Sequence, residues 1–325
     1  MKLAPFSEEL LRIDCKEELA KIIALLRERV LRQFKKKGLI VAISGGVDSS
    51  VVVALAVLAC GKEKVLGLQM PERHSSSETL SLSQVIAKHL EIETVHEDIS
   101  GILEAVGCYR RQEDAIRLAL PQYGPGWKSK LVLPSVIESD QYRLFSIVAE
   151  SASGERAEAR LNLEAYLGVV SATNFKQRVR KMIEYYHADR LNYAVAGTPN
   201  RLEYDQGFFV KLGDGAADVK PIAHLYKTQV YQLAEYLNVP EVIRNRPPTT
   251  DTYSMPQSQE EFYFSLPYAK MDLVLYGQNH GYTAQQIGPS VGLTAEQVER
   301  VFRDIEAKRR VASYLHSAPV LIEPL

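Results

Sequence analysis

Cysteine, tryptophan and long apolar runs are all scarce in this 325-residue chain. It has three cysteines, Cys15, Cys60 and Cys108, and a single tryptophan. Three distant cysteines provide neither a disulfide framework nor paired metal ligands, which favours a reducing compartment. The longest apolar run, from Val51 to Cys60, is far shorter than the roughly 20 residues that a bilayer requires. These features, together with an N-terminal segment that is acidic where a secretion signal would be basic, predict a cytoplasmic protein without a membrane anchor.

The chain also lacks an excess of charge of either sign. Its 39 Lys and Arg residues balance 40 Asp and Glu residues, which leaves a net charge of −1. Such a balance argues against nucleic acid or a membrane surface as a partner. The length permits about two domains, or one large α/β domain with an insertion. A nucleotide, if one is bound, must therefore be held by a local site.

Apolar runs and helical patterns alternate along the chain. Short β-branched runs predict buried strands at 39–44, 64–70, 93–99 and 192–197. Helical periodicity predicts one long helix over 7–37 and further helices at 49–60, 76–90, 164–189 and 226–237, with more helices in the C-terminal part. This alternation is typical of a parallel, doubly wound α/β sheet.

The alternation is interrupted between residues 108 and 163. Turn residues are frequent around Trp127, and the segments 142–150 and 156–163 have the composition of strands. We expect an inserted β-rich subdomain at 108–163 within a single domain of residues 1–325. Its aromatic residues Tyr123, Trp127 and Tyr142 are compatible with a docking or dimer-contact surface and equally with a small satellite core.

The sequence SGGVDSS, residues 44–50, stands where a predicted strand meets a predicted helix. The unpaired amides at the start of that helix, the glycines Gly45 and Gly46, and the hydroxyls of Ser44 and Ser49 together favour an oxyanion. No lysine follows the glycines, so this is not the phosphate loop of kinases and GTPases. Asp48 in such a loop is best explained as a Mg²⁺ ligand.

The SGGVDSS loop resembles the pyrophosphatase loop of enzymes that split ATP into AMP and pyrophosphate. The stretch from Ala196 to Lys227, AGTPNRLEYDQGFFVKLGDGAADVKPIAHLYK, is similar in detail to the ammonia-dependent NAD synthetase family. The resemblance implies an adenine nucleotide alpha hydrolase-like fold. It also implies ATP-dependent amidation of deamido-NAD (nicotinate adenine dinucleotide) by ammonia, through an acyl-adenylate, with release of AMP and pyrophosphate.

The same resemblance assigns roles to individual residues. Asp48 and Glu203 are the implied Mg²⁺ ligands, and Asp48 and Lys227 the implied catalytic residues. The implied ATP contacts are Ser44, Gly45, Gly46, Asp48, Ser49, Thr198, Lys227 and Thr249. The implied deamido-NAD contacts are Arg178, Lys211, Asp218 and Lys308. A homodimer is implied as well.

Three features depart from the family pattern and leave an alternative open. Ala307 precedes Lys308 where the family has a His-Lys pair, the stretch EEFYFS (260–265) replaces an acidic, Gly-containing segment, and the insertion is longer than the usual connection. The alternative is a related ATP-pyrophosphatase amidotransferase that acts on another carboxylate. A DNA-binding helix-turn-helix at 283–313 is disfavoured by its balanced charge, and a thiolase by the positions of the cysteines.

The ammonia for such a reaction is either free in solution or released from glutamine. Glutamine hydrolysis requires an activated cysteine, usually in a separate amidase domain, and the helix predicted at 7–37 leads directly into the first strand. We therefore expect free ammonia to support the reaction and glutamine alone not to. A separate glutaminase subunit remains a candidate partner if the insertion is a docking surface.

Overall fold

A computed structural model describes residues 4–137, 145–249, 252–264 and 266–323. The strands within these ranges are β1 (Leu39–Ala42), β2 (Val65–Gln69), β3 (Glu93–His96), β4 (Lys128–Val132), β5 (Ser146–Glu150), β6 (Arg156–Arg160) and β7 (Ala194–Ala196). Four of them form a parallel sheet in the order β3-β2-β1-β7. In the inner strand β1, Leu39 pairs with Val65 of β2 on one side and with Ala194 of β7 on the other. The predicted parallel sheet is confirmed.

Helices surround this sheet and extend beyond it. The α-helices within the described ranges are α1 (Cys15–Leu26), α2 (Val47–Cys60), α3 (Ser77–Leu90), α4 (Ser100–Ala105), α5 (Cys108–Arg117), α6 (Leu163–Leu191), α7 (Arg201–Gln206), α8 (Lys227–Tyr236), α9 (Glu241–Arg244), α10 (Tyr268–Asn279), α11 (Ala284–Val291) and α12 (Ala295–His316). No helix among the described residues is both long enough and apolar enough to cross a membrane.

Alternate side chains of β1 enter different hydrophobic clusters. Leu39 and Val41 are fully buried with residues of α1, α2 and α8, whereas Ile40 is fully buried with residues of α4, α5 and α6. Because successive side chains of a strand point to opposite faces, the sheet is covered by helices on both sides. The doubly wound α/β architecture is therefore confirmed.

The single helix predicted over residues 7–37 is wrong. A short 3₁₀ turn, Glu8–Leu11, is separated from α1, and the Asp14 side chain accepts hydrogen bonds from the amides of Lys16 and Glu17 as the cap of α1. Gln232 in α8 bonds both to the Leu11 carbonyl and to the Ile13 amide, at 3.0 and 3.1 Å. These long-range contacts and the aspartate cap outweigh the helical periodicity of the segment.

The segment predicted as a β-rich insertion is only partly β. Residues 108–117 form α5, which packs so closely on α6 that a Cβ atom on Gly168 would come within 2.7 Å of Ala115. The antiparallel sheet β4-β5-β6 occupies residues 128–160, and we call it the inserted sheet. The strand predicted at 142–150 corresponds to β5, which begins at Ser146. Residues 142–144 of that prediction lie outside the described residues.

The inserted sheet covers a satellite core against α6. Ile147, Ala149 and Tyr123 are buried there, and Trp127 is partly buried beside Tyr123. Of the two interpretations of these aromatic residues, the satellite core describes Tyr123 and Trp127, while Tyr142 lies outside the described residues.

Helix α6 is the longest element and reaches well past the sheet. Its 29 residues correspond to about 43 Å, whereas β7, which follows it, has three residues. The Arg180 side chain donates to the carbonyl of Met70, at the carboxyl end of β2. The N-terminal half of α6 therefore projects beyond the carboxyl edge of the sheet, and the inserted sheet packs on that half.

Candidate active site

The loop between β1 and α2 has the geometry of an anion site. Gly45 has a φ of +69°, and a Cβ atom there would lie 2.7 Å from the Thr79 carbonyl oxygen, so no other residue fits without strain. Gly46 is the N-cap of α2, and the hydroxyls of Ser44 and Ser49 lie 3.2 Å apart. The loop presents these hydroxyls together with the free amides of the helix terminus.

Three charged side chains meet in front of this loop. Lys227, the first residue of α8, is 3% exposed and donates a short hydrogen bond to the Asp48 carboxylate. Burial alone would lower the pKa of the Lys227 ammonium, but the carboxylates of Asp48 and Glu203 outweigh this effect and raise that pKa. Burial, and secondly the Asp48 charge, raises the pKa of the Glu203 carboxyl to about 8. Two carboxylates and one ammonium thus share a largely buried pocket.

Asn200 connects the two carboxylates. Its side chain donates to Asp48 Oδ1 at 3.2 Å and accepts from the Glu203 amide at 3.2 Å, while Glu203 Oε2 accepts from the Asn200 amide at 3.1 Å. The latter two bonds form a capping box at the start of α7. Asn200 was not among the predicted site residues, although the spacing Asn-x-x-Glu after a strand is a recognisable signal of such a cap.

The position of Lys227 is fixed from a distant helix. Asp272 in α10 is fully buried and accepts hydrogen bonds from the amides of Lys227 and Thr228, at 3.2 and 2.7 Å. Burial raises the pKa of Asp272 to about 7, although these amides act in the opposite direction. Asp272 therefore caps two amides at the N-terminus of α8, in addition to the local bond from the Tyr226 amide to the Gln229 side chain.

A cavity of about 480 Å³ opens at the carboxyl edge of the sheet and brings together most of the predicted ATP and metal residues. Its walls include Ser44, Gly46, Asp48, Ser49, Thr198, Glu203, Lys227 and Thr249. Gly45 shapes the loop from behind and is not part of the wall. Ligands in open α/β sheets bind at this edge, where the strand order reverses.

The four predicted dinucleotide contacts do not line this cavity. Arg178 is exposed on α6 and donates weakly to the Lys211 carbonyl at 3.4 Å, so these two residues are neighbours. Lys308 is paired with Asp304 at 2.7 Å and donates to the Tyr263 carbonyl. Asp218 accepts from the Val195 amide at 2.7 Å and from the Tyr185 hydroxyl. Their role toward a substrate stays a prediction.

A second buried ion pair borders the cavity and was not predicted. Lys176 in α6 is 1% exposed and pairs with the fully buried Glu72 at 2.8 Å. It also donates to the Thr252 carbonyl at 2.7 Å, and Tyr109 donates to the other oxygen of Glu72. The cluster joins α6 to the loop after β2 and to the segment that follows residue 251.

The carboxylate pair fits one particular kind of metal site. Within the described ranges no group of three or more His, Cys, Asp or Glu residues could enclose a metal. Mg²⁺ commonly takes only one or two protein carboxylates and completes its shell with water and substrate phosphates. The raised pKa of Glu203 indicates a carboxylate whose charge the protein alone does not balance. Asp48 and Glu203 therefore suit a Mg²⁺ ion whose other ligands would be water and substrate phosphate oxygens.

The sheet, the anion loop and the buried carboxylates define a nucleotide-binding enzyme of the doubly wound α/β class. The sequence profile described as NAD synthase matches residues 18–119 and 131–312. The chain belongs to the NAD synthase family.

Similar proteins cover almost the whole chain. It is 58% identical to an NH(3)-dependent NAD(+) synthetase of Mesorhizobium japonicum, over 96% of this chain and 98% of that protein. It is 55% identical to the enzyme of the same name from Rhizobium meliloti, over 98% and 96%. Among solved structures, an NMN synthetase from Francisella tularensis has a TM-score of 0.67 at 21% identity, over 95% of this chain and 99% of that one. An NH3-dependent NAD synthetase from Campylobacter jejuni has a TM-score of 0.62 at 21% identity, over 96% and 100%. The two structures confirm the fold.

Proposed function

We propose that this protein is an ammonia-dependent NAD synthetase, a ligase that forms a carbon–nitrogen bond at the expense of ATP. The observation that carries the proposal is the meeting of Asp48, Glu203 and Lys227 in front of the SGGVDSS loop. This arrangement suits a departing pyrophosphate, and the named relatives above are ammonia-dependent NAD synthetases. The reaction belongs to NAD biosynthesis, and we propose the cytoplasm as its location.

In the proposed reaction, the carboxylate of deamido-NAD attacks the α-phosphorus of ATP and displaces pyrophosphate. Ammonia then attacks the carbonyl carbon of the acyl-adenylate, which gives the amide and AMP. The free amides at the start of α2 and the hydroxyls of Ser44 and Ser49 bind the departing pyrophosphate. The Lys227 ammonium, fixed by Asp272, adds a positive charge beside the leaving group without having to reorganise.

Asp48 and Glu203 would hold Mg²⁺, which when bound neutralises phosphate charge as the pyrophosphate departs. Asn200 keeps both carboxylates in place, because its side chain donates to Asp48 and its backbone amide donates to Glu203. Thr198 and Thr249 line the same cavity and are the proposed further contacts of ATP.

We further propose a homodimer that forms through the outer face of α6. Met182 and Tyr186 follow Arg178 at intervals of four residues, and they are 56% and 61% exposed. Such spacing places the three side chains in one row on the helix. A second copy packed on this row would bring Arg178 and the neighbouring Lys211 to the interface, where we propose that they contact the dinucleotide. Asp218 and Lys308 are the further proposed contacts of the dinucleotide.

The test is product analysis with the purified chain. It is incubated with ATP, Mg²⁺ and ammonium, and with one carboxylate at a time, namely deamido-NAD, nicotinate mononucleotide or aspartate. We expect NAD and AMP in equal amounts from deamido-NAD, and no amide when glutamine replaces ammonium. ADP as the matching product contradicts the proposed chemistry.

Nicotinate mononucleotide is included because the Francisella neighbour is named an NMN synthetase. Amidation of that compound or of aspartate in preference to deamido-NAD supports the alternative, a related amidotransferase for another carboxylate. Turnover with glutamine as efficient as with ammonium contradicts the expected ammonia dependence.

A further inference from the structure

Four of the aromatic side chains that line the cavity pack in two pairs, and we call them the aromatic wall: Phe145, Tyr166, Phe208 and Phe262. The rings of Phe145 and Tyr166 are stacked at 4.8 Å with an interplanar angle of 17°. The rings of Phe208 and Phe262 meet edge to face at 5.7 Å. All four side chains are only partly buried, so they are not simply interior packing.

The wall is built where the inserted sheet meets the segment 252–264. The Ser129 amide donates to Ser254 at 2.9 Å, and the Met255 amide donates to the Ser129 carbonyl at 3.1 Å. Lys130 and Glu261 form an ion pair at 2.6 Å. Phe145 lies just before β5, and Phe262 belongs to the contacting segment. The inserted sheet thus holds the segment that carries Phe262.

The wall begins close to the carboxylates. Gln259 donates to Glu203 Oε1 at 3.1 Å, and Phe262 follows Gln259 by three residues in a helical segment. The ring of Phe262 in turn contacts the ring of Phe208, which lies in the turn that follows Glu203 and α7. The Phe208 amide also bonds to the Glu203 carbonyl at 2.8 Å. A group bound against the wall therefore lies next to the place where phosphate would be held.

The position of the aromatic wall indicates which ring of the substrates can contact it. In the acceptor, the reacting carboxyl group is attached directly to a pyridine ring, so this ring must lie beside the α-phosphorus. The adenine of ATP is separated from that phosphorus by a ribose. Aromatic side chains bind planar rings by stacking and edge contacts. The Tyr166 hydroxyl, which has no hydrogen-bond partner among the described residues, offers a polar group to such a ring.

We infer that the aromatic wall binds the pyridine ring of the acceptor, so that the inserted sheet helps to set acceptor specificity. The inference rests on the proposed function, because the acceptor there is a pyridine carboxylate. It gives the inserted sheet a role in substrate binding in addition to its satellite core.

The inference is tested by steady-state kinetics of Phe145→Leu, with Phe145→Tyr as the conservative variant. Trp127→Phe is the matched control, since Trp127 packs in the same satellite core but does not line the cavity. The measurements are KM for deamido-NAD, KM for ATP, and the inhibition constant of ADP-ribose, which has the adenosine half of the dinucleotide and no pyridine ring. Thermal unfolding of each variant accompanies the kinetics.

We expect Phe145→Leu to raise KM for deamido-NAD about fivefold or more, with KM for ATP and the ADP-ribose constant within twofold of the native values. Phe145→Tyr is expected to restore KM, and Trp127→Phe to leave it unchanged. Unchanged KM for deamido-NAD in Phe145→Leu overturns the inference, as does a rise confined to ATP or one shared with ADP-ribose. If the native protein does not amidate deamido-NAD at all, the proposed function has failed instead.

Discussion

Glu203 and Asp48 are two acids that the fold places together at a cost in stability. The Glu203 side chain accepts hydrogen bonds from Gln259 and Asn200. The Asp48 side chain accepts hydrogen bonds from Asn200 and Lys227. Yet burial beside another carboxylate still raises the pKa of Glu203 to about 8. A carboxyl group whose surroundings oppose its ionisation in this way is typical of a functional position.

The first prediction concerns the activity of these two residues. Asp48→Asn and Glu203→Gln are each expected to lower kcat about a hundredfold or more, since each removes a charge needed as pyrophosphate departs. Steady-state assays of NAD formation measure the effect, with Glu235→Gln on the exposed face of α8 as the control. Activity within a few-fold of native in either variant would show that its carboxylate is not part of the reaction.

The second prediction concerns stability and pH. Folded Glu203 keeps its proton up to about pH 8, whereas the unfolded side chain loses it near its ordinary value of 4.5. The folded state binds more protons between these values, so the stability contributed by this group falls as the pH rises through the window. Glu203→Gln has no proton to lose and is expected to gain about 4 kcal/mol relative to native between pH 5 and pH 9.

Thermal unfolding of both proteins across this pH range measures the difference. We expect the melting temperature of Glu203→Gln, relative to native, to rise by several degrees toward pH 9. A difference that stays constant with pH would mean that Glu203 is not held in its protonated form by the fold.

At the scale of elements, the start of α8 depends on a side chain from α10. Asp272 accepts from two amides that an isolated helix would leave unpaired. The third prediction is that Asp272→Ala lowers the free energy of unfolding by about 2–3 kcal/mol and also lowers kcat, because Lys227 loses its fixed position. Urea unfolding and kinetics are measured together.

Asp272→Asn is the matched variant, because it keeps an oxygen acceptor and the same shape. It is expected to retain most of the stability and most of kcat. If Asp272→Ala were as active as native, Lys227 would have to be held by Asp48 alone.

Secondary-structure elements were predictable where the residues that determine them lie in one continuous segment of the sequence. The strand, the SGGVDSS loop and helix α2 follow one another within 22 residues, and the structure has them in that order. The break before α1 was not predictable, because it depends on Gln232, more than 200 residues away. The same holds for Gln259 and Asp272, since each reaches the site from a distant segment and no local pattern marks it.

At the scale of the whole molecule, the outer face of α6 leaves apolar side chains uncovered. The fourth prediction is that the native protein sediments at twice its 36.4 kDa mass, and that Tyr186→Glu shifts it toward the monomer, because a carboxylate would have to lose its water where the native interface buries an aromatic ring. Val311→Glu, a 69% exposed position on α12, is the control. A native monomer, or equal dissociation of both variants, would contradict an interface on α6.

The pairing of β1 with β7 sets the order in which the protein can be completed during synthesis. Leu39 pairs with Ala194, 155 positions later in the chain. At about 5–20 residues per second, the ribosome needs about 8–30 s to deliver that partner. During this interval β1 can pair with β2 on one side, while its other edge is open. The strand β1 carries side chains that are fully buried in the final fold. The nascent chain is therefore most vulnerable to aggregation while α5, the inserted sheet and α6 are being translated, and a chaperone that covers the β1 edge would act in that interval.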